Sequence, residues 1–185
     1  VYCRLEQGFE TDSGDAKDAD SAFYRDSYVG VATPYGAFEF GRTGALTAGT
    51  HGGIVGGMSP FGITWKEGAL TKVFAGNIAA RLNNMVKYES PDLSGFKLYA
   101  QYSNGVDDDA VVSSQKNRYI AVGATYRYKN LRLIAAFDNL FYNDSAVKTD
   151  AGVAAGKDLK DQRTYNIGGT YDFGTVRMYL GYQYG

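Results

Sequence analysis

The chain has 185 residues and a formal net charge of −1, and it contains 24 Gly, 16 Tyr and 10 Phe but only 3 Pro. This balanced charge argues against nucleic acid as a partner. A single cysteine, Cys3, and a single histidine, His51, exclude a disulfide framework and a Cys/His metal cluster, and no cofactor is expected. The mean hydropathy is −0.31, and no stretch approaches the ~18 apolar residues of a membrane helix, which excludes a helical membrane protein.

Alternation of apolar and polar side chains, the period of a β-strand, dominates the chain. It predicts roughly nine strands of about ten residues each, a length that suits a tilted crossing of a bilayer. The clearest stretches, in chain order, are residues 96–103, 119–128, 131–138, 165–173 and 176–184. A membrane β-barrel is compatible with the low hydropathy, because only every second side chain of its strands faces lipid.

The predicted connections alternate between short and long. Short turns are expected at residues 33–36, 91–95, 128–130 and 172–175, and long polar segments at residues 10–21, 43–79, 104–117 and 142–163. Outer-membrane barrels show this alternation, with short periplasmic turns and longer extracellular loops. Aromatic residues cluster near the predicted strand ends on the apolar parity, where interfacial girdles form.

The strand face opposite the apolar parity carries the charges. Its predicted members are Arg4, Arg81, Lys87, Lys97, Arg127, Arg132 and Arg177, together with Glu6, Glu89, Asp138 and Asp172. A closed soluble core could not hold so many charges, since an unpaired buried charge is very costly. We therefore expect water to reach this face, either in a lumen or on a solvated outer surface, and the alternation of the connections favours a lumen.

Several stretches resemble a known family. Residues 1–9, 24–31, 36–42 and 81–91 are similar to successive strands of general trimeric porins of the Gram-negative outer membrane, closest to the β-proteobacterial and neisserial branch. The resemblance implies one all-β domain over residues 1–185, a transmembrane antiparallel β-barrel of which this chain holds about nine of sixteen strands. It also implies a homotrimer in outer-membrane lipid and lipopolysaccharide, passing small hydrophilic solutes and ions.

The resemblance also implies a pore constriction. The long segment 43–79 would fold into the barrel and face charged wall residues, for which the candidates are Arg25, Arg81, Glu6, Arg4 and Lys87. Arg42 shares the parity of outward-facing residues, so it is excluded unless Gly41 forms a bulge. Glu67 is the sole carboxylate of the segment, which predicts a basic constriction and a weak preference for anions.

Three functions other than that of a general porin are compatible with parts of the pattern. A hydrolase would need His51, but no G-x-S-x-G motif accompanies it, so a channel rather than an enzyme is predicted. A soluble all-β binding or adhesin module would explain the strands but not the alternating connections. A channel specific for one class of substrate remains open, since the sequence does not trace a binding track along the lumen. The acidic cluster at residues 107–109 is interpreted as a solvated loop tip rather than an ion site.

Overall fold

The computed structural model describes residues 1–18, 21–47, 51, 53–60, 81–106, 117–143 and 160–185. Within these residues, nine strands form one sheet whose spatial order follows the chain, and every neighbouring pair is antiparallel. The strands are β1 (Tyr2–Leu5), β2 (Ser27–Thr33), β3 (Gly36–Thr43), β4 (Leu82–Glu89), β5 (Phe96–Ser103), β6 (Arg118–Tyr128), β7 (Leu131–Phe141), β8 (Gln162–Asp172) and β9 (Arg177–Tyr184). The predicted all-β fold is confirmed. The described part of the chain holds no helix with the length and apolarity that crossing a membrane requires.

Strand lengths are less uniform than predicted. β5 coincides with the predicted stretch 96–103, whereas β6, β7 and β8 each extend over 11 residues. β1 has only 4 residues and β2 only 7. The apolar alternation weakens near the strand ends, where polar side chains occupy both faces, so the periodicity locates each strand better than its ends.

All the short connections lie at one end of the sheet, as expected. They join β2 to β3, β4 to β5, β6 to β7 and β8 to β9, while the long segments join the remaining pairs at the other end. The first of these turns needs glycine, because Gly36 has φ +127° and a Cβ there would lie 2.5 Å from the Glu89 carbonyl oxygen. The two ends are called the short-turn end and the long-loop end below.

The two faces of the sheet differ in chemistry. On the outer face Leu133, Ile167 and Leu180 are 46%, 61% and 76% exposed, although all three lie within strands of the sheet. On the inner face Ala121 and Ile134 are buried, at 0% and 2% exposure. An extended apolar surface of this kind is what a sheet presents to lipid rather than to water.

Aromatic rings pair across the strands on the outer face. The contacts and their ring-centroid separations are Phe38–Tyr88 at 4.9 Å, Phe96–Tyr126 at 4.2 Å and Phe137–Tyr165 at 4.9 Å. The first two pairs lie near the short-turn end, and the third lies toward the long-loop end. This placement agrees with the predicted girdles at the two membrane interfaces.

Candidate functional site

The first part of the long segment between β3 and β4 packs on the inner face of the sheet. Its apolar side chains share one buried cluster with inner-face residues of β4, β6 and β7 and with Val106, just beyond β5. The members are Ala45, Leu46, Ile54, Val55, Met58, Leu82, Met85, Val106, Tyr119, Ala121, Ile134, Ala136 and Leu140. Burying a Leu, Ile, Val or Met side chain stabilises by roughly 1.5–3 kcal/mol. The apolar patch on the inner wall thus explains why the segment turns inward.

A buried carboxylate ties this segment to the wall. Asp138 on β7 is 0% exposed and accepts hydrogen bonds from the hydroxyls of Thr47, Thr164 and Tyr119. The Tyr119 hydroxyl also accepts the backbone N–H of Leu46 at 3.2 Å. Water was expected to reach Asp138, and that expectation was wrong, because the packed segment covers the carboxylate and three hydroxyls satisfy it instead.

Four of the predicted site residues meet in one charged cluster at the long-loop ends of β1, β2 and β4. Arg25 Nε donates to Glu6 Oε1 at 2.7 Å, and Arg81 Nε donates to Asp26 Oδ1 at 2.9 Å. Longer ion pairs join Arg81 to Glu6 at 3.7 Å and Arg4 to both carboxylates at 3.6 and 3.7 Å. We call these five residues the arginine–carboxylate cluster. It contains three guanidinium groups and two carboxylates, so positive charge is in excess.

Backbone pairing explains why the cluster forms. The Glu6 N–H donates to the Asp26 carbonyl at 2.8 Å, which extends the β1–β2 ladder by one step beyond Leu5 and Ser27. Residues two apart on an extended chain share a face, so Arg4 and Glu6 project together beside Asp26. Asp26 is 1% exposed and was missed by the sequence interpretation. Its parity with the buried Tyr28 is the signal that could have found it.

The cluster holds its charges in the ionised form. Burial alone would raise the pKa of the Glu6 carboxyl, but the hydrogen bond from Arg25 and the nearby charge of Arg81 outweigh it and lower that pKa. The hydrogen bond to Glu6 in turn raises the pKa of the Arg25 guanidinium. Both groups therefore stay charged at neutral pH.

Lys87 lies in a second, separate cluster. Its Nζ is 2.9 Å from Glu39 Oε2, and the two side chains are directly opposite each other on β4 and β3. The Tyr2 hydroxyl donates to Glu39 Oε1 at 3.0 Å, and His51 Nε2 lies 3.8 Å from the same oxygen. Lys87 is 4% exposed, and Glu39 neutralises its charge within the wall. Glu39 is a second carboxylate that the sequence interpretation did not include.

His51, which lies in the long segment between β3 and β4, contacts this second cluster. Its ring stacks on Tyr28 with centroids 5.2 Å apart, and the Tyr28 hydroxyl lies 2.7 Å from His51 Nε2. The sole histidine of the chain is thus engaged by the wall. Within the described residues, no group of three or more His, Cys, Asp or Glu side chains is placed to hold a metal ion.

β3 contains a bulge at Gly41, which removes the ground for excluding Arg42 from the inner face. The register of β3 against β4 shifts between Gly41 and Thr43, and Gly41 has φ +138°. Arg42 Nε donates to the Tyr24 carbonyl at 2.8 Å, and its Nη1 donates to Asn83 Oδ1 at 2.5 Å. Arg42 therefore supports the chain beside the arginine–carboxylate cluster. Glu67 and the acidic stretch 107–109 lie outside the described residues.

Comparison with known proteins identifies relatives along the whole chain. A model of the family described as Gram-negative porin matches residues 1–185. An outer membrane porin protein of Bordetella pertussis is 28% identical over 188 residues, an alignment that covers 97% of this chain and 46% of the relative. The chain thus spans about half the length of the curated relative it matches.

One of two solved structures supports the fold. A loop-deletion mutant of OmpT, an outer membrane protein of Vibrio cholerae, superposes with a TM-score of 0.59 at 18% identity, covering 93% of this chain and 51% of the other. An anion-selective porin from Comamonas acidovorans gives a TM-score of 0.40 at 19% identity, covering 98% of this chain and 62% of the other. At that second score the likeness supports no conclusion about this chain.

Proposed function

The chain belongs to the Gram-negative porin family of the outer membrane, and from that premise we propose that it forms part of a water-filled channel for passive diffusion of small hydrophilic solutes and ions. Porins are channels and not enzymes, which removes the hydrolase alternative. The outer-membrane location likewise removes the soluble binding module.

The observation that carries the proposal is the opposite chemistry of the two faces of one sheet. The outer face presents the exposed apolar side chains of Leu133, Ile167 and Leu180, as a lipid-facing wall does. The inner face holds the arginine–carboxylate cluster, whose ionised side chains need water or charged partners. A sheet with this polarity encloses water when it closes into a barrel, and the enclosed water is the route for solutes.

We assign the constriction to segment 43–79 and the charged wall facing it. The anchoring of Leu46, Ile54 and Met58 on the inner face supports an inward path for the segment. The wall residues assigned to the constriction are Arg4, Glu6, Arg25, Arg81 and Lys87, with Asp26 added from the structure and Glu67 from the segment itself.

The proposed selectivity is a weak preference for anions. The arginine–carboxylate cluster contributes three positive and two negative charges, while the Lys87–Glu39 pair contributes none in net terms. Fixed charge in a narrow aqueous gap concentrates the counter-ion, and one excess positive charge produces a modest effect rather than exclusion of cations. A sixteen-stranded barrel, the homotrimer and contact with lipopolysaccharide follow from the family resemblance and complete the proposal.

The test is conductance of the full-length protein in a planar bilayer under a salt gradient. We expect the conductance to rise in groups of three equal steps, because the three pores of one trimer insert together. We also expect a reversal potential whose sign shows that anions are more permeant than cations. A folded protein that conducts no ions would overturn the channel proposal. A reversal potential of the opposite sign would leave the channel intact and overturn the assigned selectivity.

A further inference from the structure

A second basic site lies at the short-turn end of the inner wall, away from the arginine–carboxylate cluster. A cavity of about 380 Å³ opens there between β6, β7, β8 and β9. Its charged lining residues are Arg127, Lys129, Arg132, Asp172 and Arg177. We call it the turn-end pocket. Four cations against one carboxylate is a larger imbalance than the cluster at the opposite end shows.

Two arginines of the turn-end pocket face each other, and no described carboxylate is paired with either of them. Arg127 on β6 and Arg132 on β7 are direct cross-strand partners, a placement in which like charges destabilise a sheet. Among the described residues neither guanidinium forms an ion pair, and Arg132 Nε is buried without a hydrogen-bond partner. A buried donor without an acceptor destabilises the fold, so the two guanidiniums are held here at an energetic cost.

The one carboxylate among the described lining residues, Asp172, is already paired with Arg177. Asp172 Oδ2 accepts from Arg177 Nη2 at 2.5 Å and from Arg177 Nε at 3.1 Å, and Asp172 Oδ1 accepts the Gly174 N–H at 2.8 Å. It therefore neutralises Arg177 rather than the Arg127–Arg132 pair. The pair needs an acceptor that the described part of the chain does not supply.

The long segment holds Arg132 in place. A Cβ added at Gly57 would lie 2.5 Å from Arg132 Nη1 and 2.6 Å from its Cζ, so the glycine backbone packs directly against the guanidinium plane. Ser59, Thr170 and Tyr179 add hydroxyl groups to the lining. A guanidinium fixed by packing loses little conformational entropy on binding and presents a planar fork suited to oxyanions.

We propose that the turn-end pocket binds a small soluble oxyanion with two negative charges, of the class of inorganic phosphate or a short dicarboxylate, between Arg127 and Arg132. The pocket opens on the inner face, so its ligand comes from the water-filled interior rather than from lipid. An anion held there relieves the repulsion between the two guanidiniums and accepts hydrogen bonds from the N–H groups of Arg127 and Arg132 that line the pocket. The turn-end pocket is thus a second anion-binding site, separate from the constriction assigned above.

The test measures binding through thermal unfolding, which requires no conducting pore. The full-length protein in non-ionic detergent is unfolded in chloride and in phosphate at equal ionic strength, at a pH where phosphate is a dianion. We expect phosphate to raise the unfolding temperature of the natural protein by about 2 °C or more, because a ligand of the folded state stabilises it. Arg132→Gln should abolish the shift, and Arg132→Lys should retain only part of it, since lysine keeps the charge without the fork.

Two further variants make the result decisive. Arg118→Gln removes the same charge from the exposed far end of β6, about 30 Å away at a rise near 3.3 Å per residue, and should keep the full shift. Arg127→Gln provides a second loss variant at an exposed position if Arg132→Gln does not fold. The proposal would be overturned if phosphate did not raise the unfolding temperature of the natural protein. It would also be overturned if Arg132→Gln and Arg127→Gln both showed the same shift as the natural protein. Either result would leave the channel function untouched, because conductance is measured separately.

Discussion

Arg25 and Glu6 are 19 positions apart in the sequence, yet Arg25 Nε donates to Glu6 Oε1 at 2.7 Å. The contact joins the two sides of the first long connection, just beyond the ends of β1 and β2. Asp26 and Arg81 extend it into a network that alternates in sign. The wall at this end is therefore a mutually paired charged surface and not a row of independent arginines. Removing one member changes the charge and also leaves its partner without compensation.

Arg81→Ala should weaken anion preference. It removes one of three guanidiniums from a cluster with two carboxylates, which abolishes the positive excess. We expect the ratio of chloride to potassium permeability to fall by about twofold, as judged from the reversal potential in a salt gradient. Arg118→Gln, at the exposed start of β6, serves as the matched loss of charge and should leave the ratio unchanged. An unchanged ratio in Arg81→Ala would place the selectivity filter elsewhere.

Asp138→Asn should loosen the inward-folded segment. The carboxylate accepts hydrogen bonds from Thr47, Thr164 and Tyr119, whereas an amide offers one acceptor oxygen and an NH₂ group that cannot accept. We expect a loss of about 1–3 kcal/mol, seen as a lower unfolding temperature together with faster proteolysis near residue 47. Asp161→Asn, an exposed position, is the control. Equal stability of the two variants would show that apolar packing alone holds the segment.

The contribution of Glu6 should disappear in acid. Its pKa lies below the ordinary value of 4.5, so the paired carboxylate stabilises the folded protein above that value, and the stabilisation is lost as the pH falls through the lowered pKa. The difference in unfolding temperature between the natural protein and Glu6→Gln should be constant near neutral pH and shrink toward zero below about pH 4. A difference that persists undiminished in stronger acid would mean that Glu6 acts by packing and not by charge.

Gly41→Ala should be strongly destabilising. Gly41 has φ +138°, and its Cβ would lie 2.3 Å from the Ser27 carbonyl oxygen, so alanine meets both backbone strain and a clash with β2. We expect a loss of about 2–4 kcal/mol, measured by thermal unfolding and by the temperature at which SDS denatures the protein. Gly174→Ala isolates the strain, because Gly174 has φ +92° with nothing within 4 Å of its Cβ position. Gly41→Ala should therefore lower the stability more than Gly174→Ala does. Equal losses of stability in the two variants would show that the clash with Ser27 adds nothing to the backbone strain.

The sequence by itself determined the features that depend on local periodicity. Alternation placed β5 at Phe96–Ser103 and located β6 to β9, and the spacing of the turns put all the short connections at one end. The sequence predicts these features because successive side chains of an extended chain point to opposite faces, independently of the neighbouring strands. The resemblance to porin strands, and not the periodicity, pointed to Arg25, Arg81 and Glu6 as wall residues. The structure brings these three side chains together, and their role at a constriction stays a prediction.

Only the tertiary structure decided which charges meet and which are covered. Asp26 joins the arginine–carboxylate cluster, and Glu39 pairs with Lys87, because of register between strands that are distant in sequence. Asp138 loses contact with water because residues 45–47 and 53–58 pack across the inner wall, an arrangement that no alternation pattern encodes. The Arg127–Arg132 pair likewise arises only when β6 and β7 come into register. Parity assigns a side chain to a face, but partners and solvent access depend on long-range packing, which is settled when the whole sheet assembles.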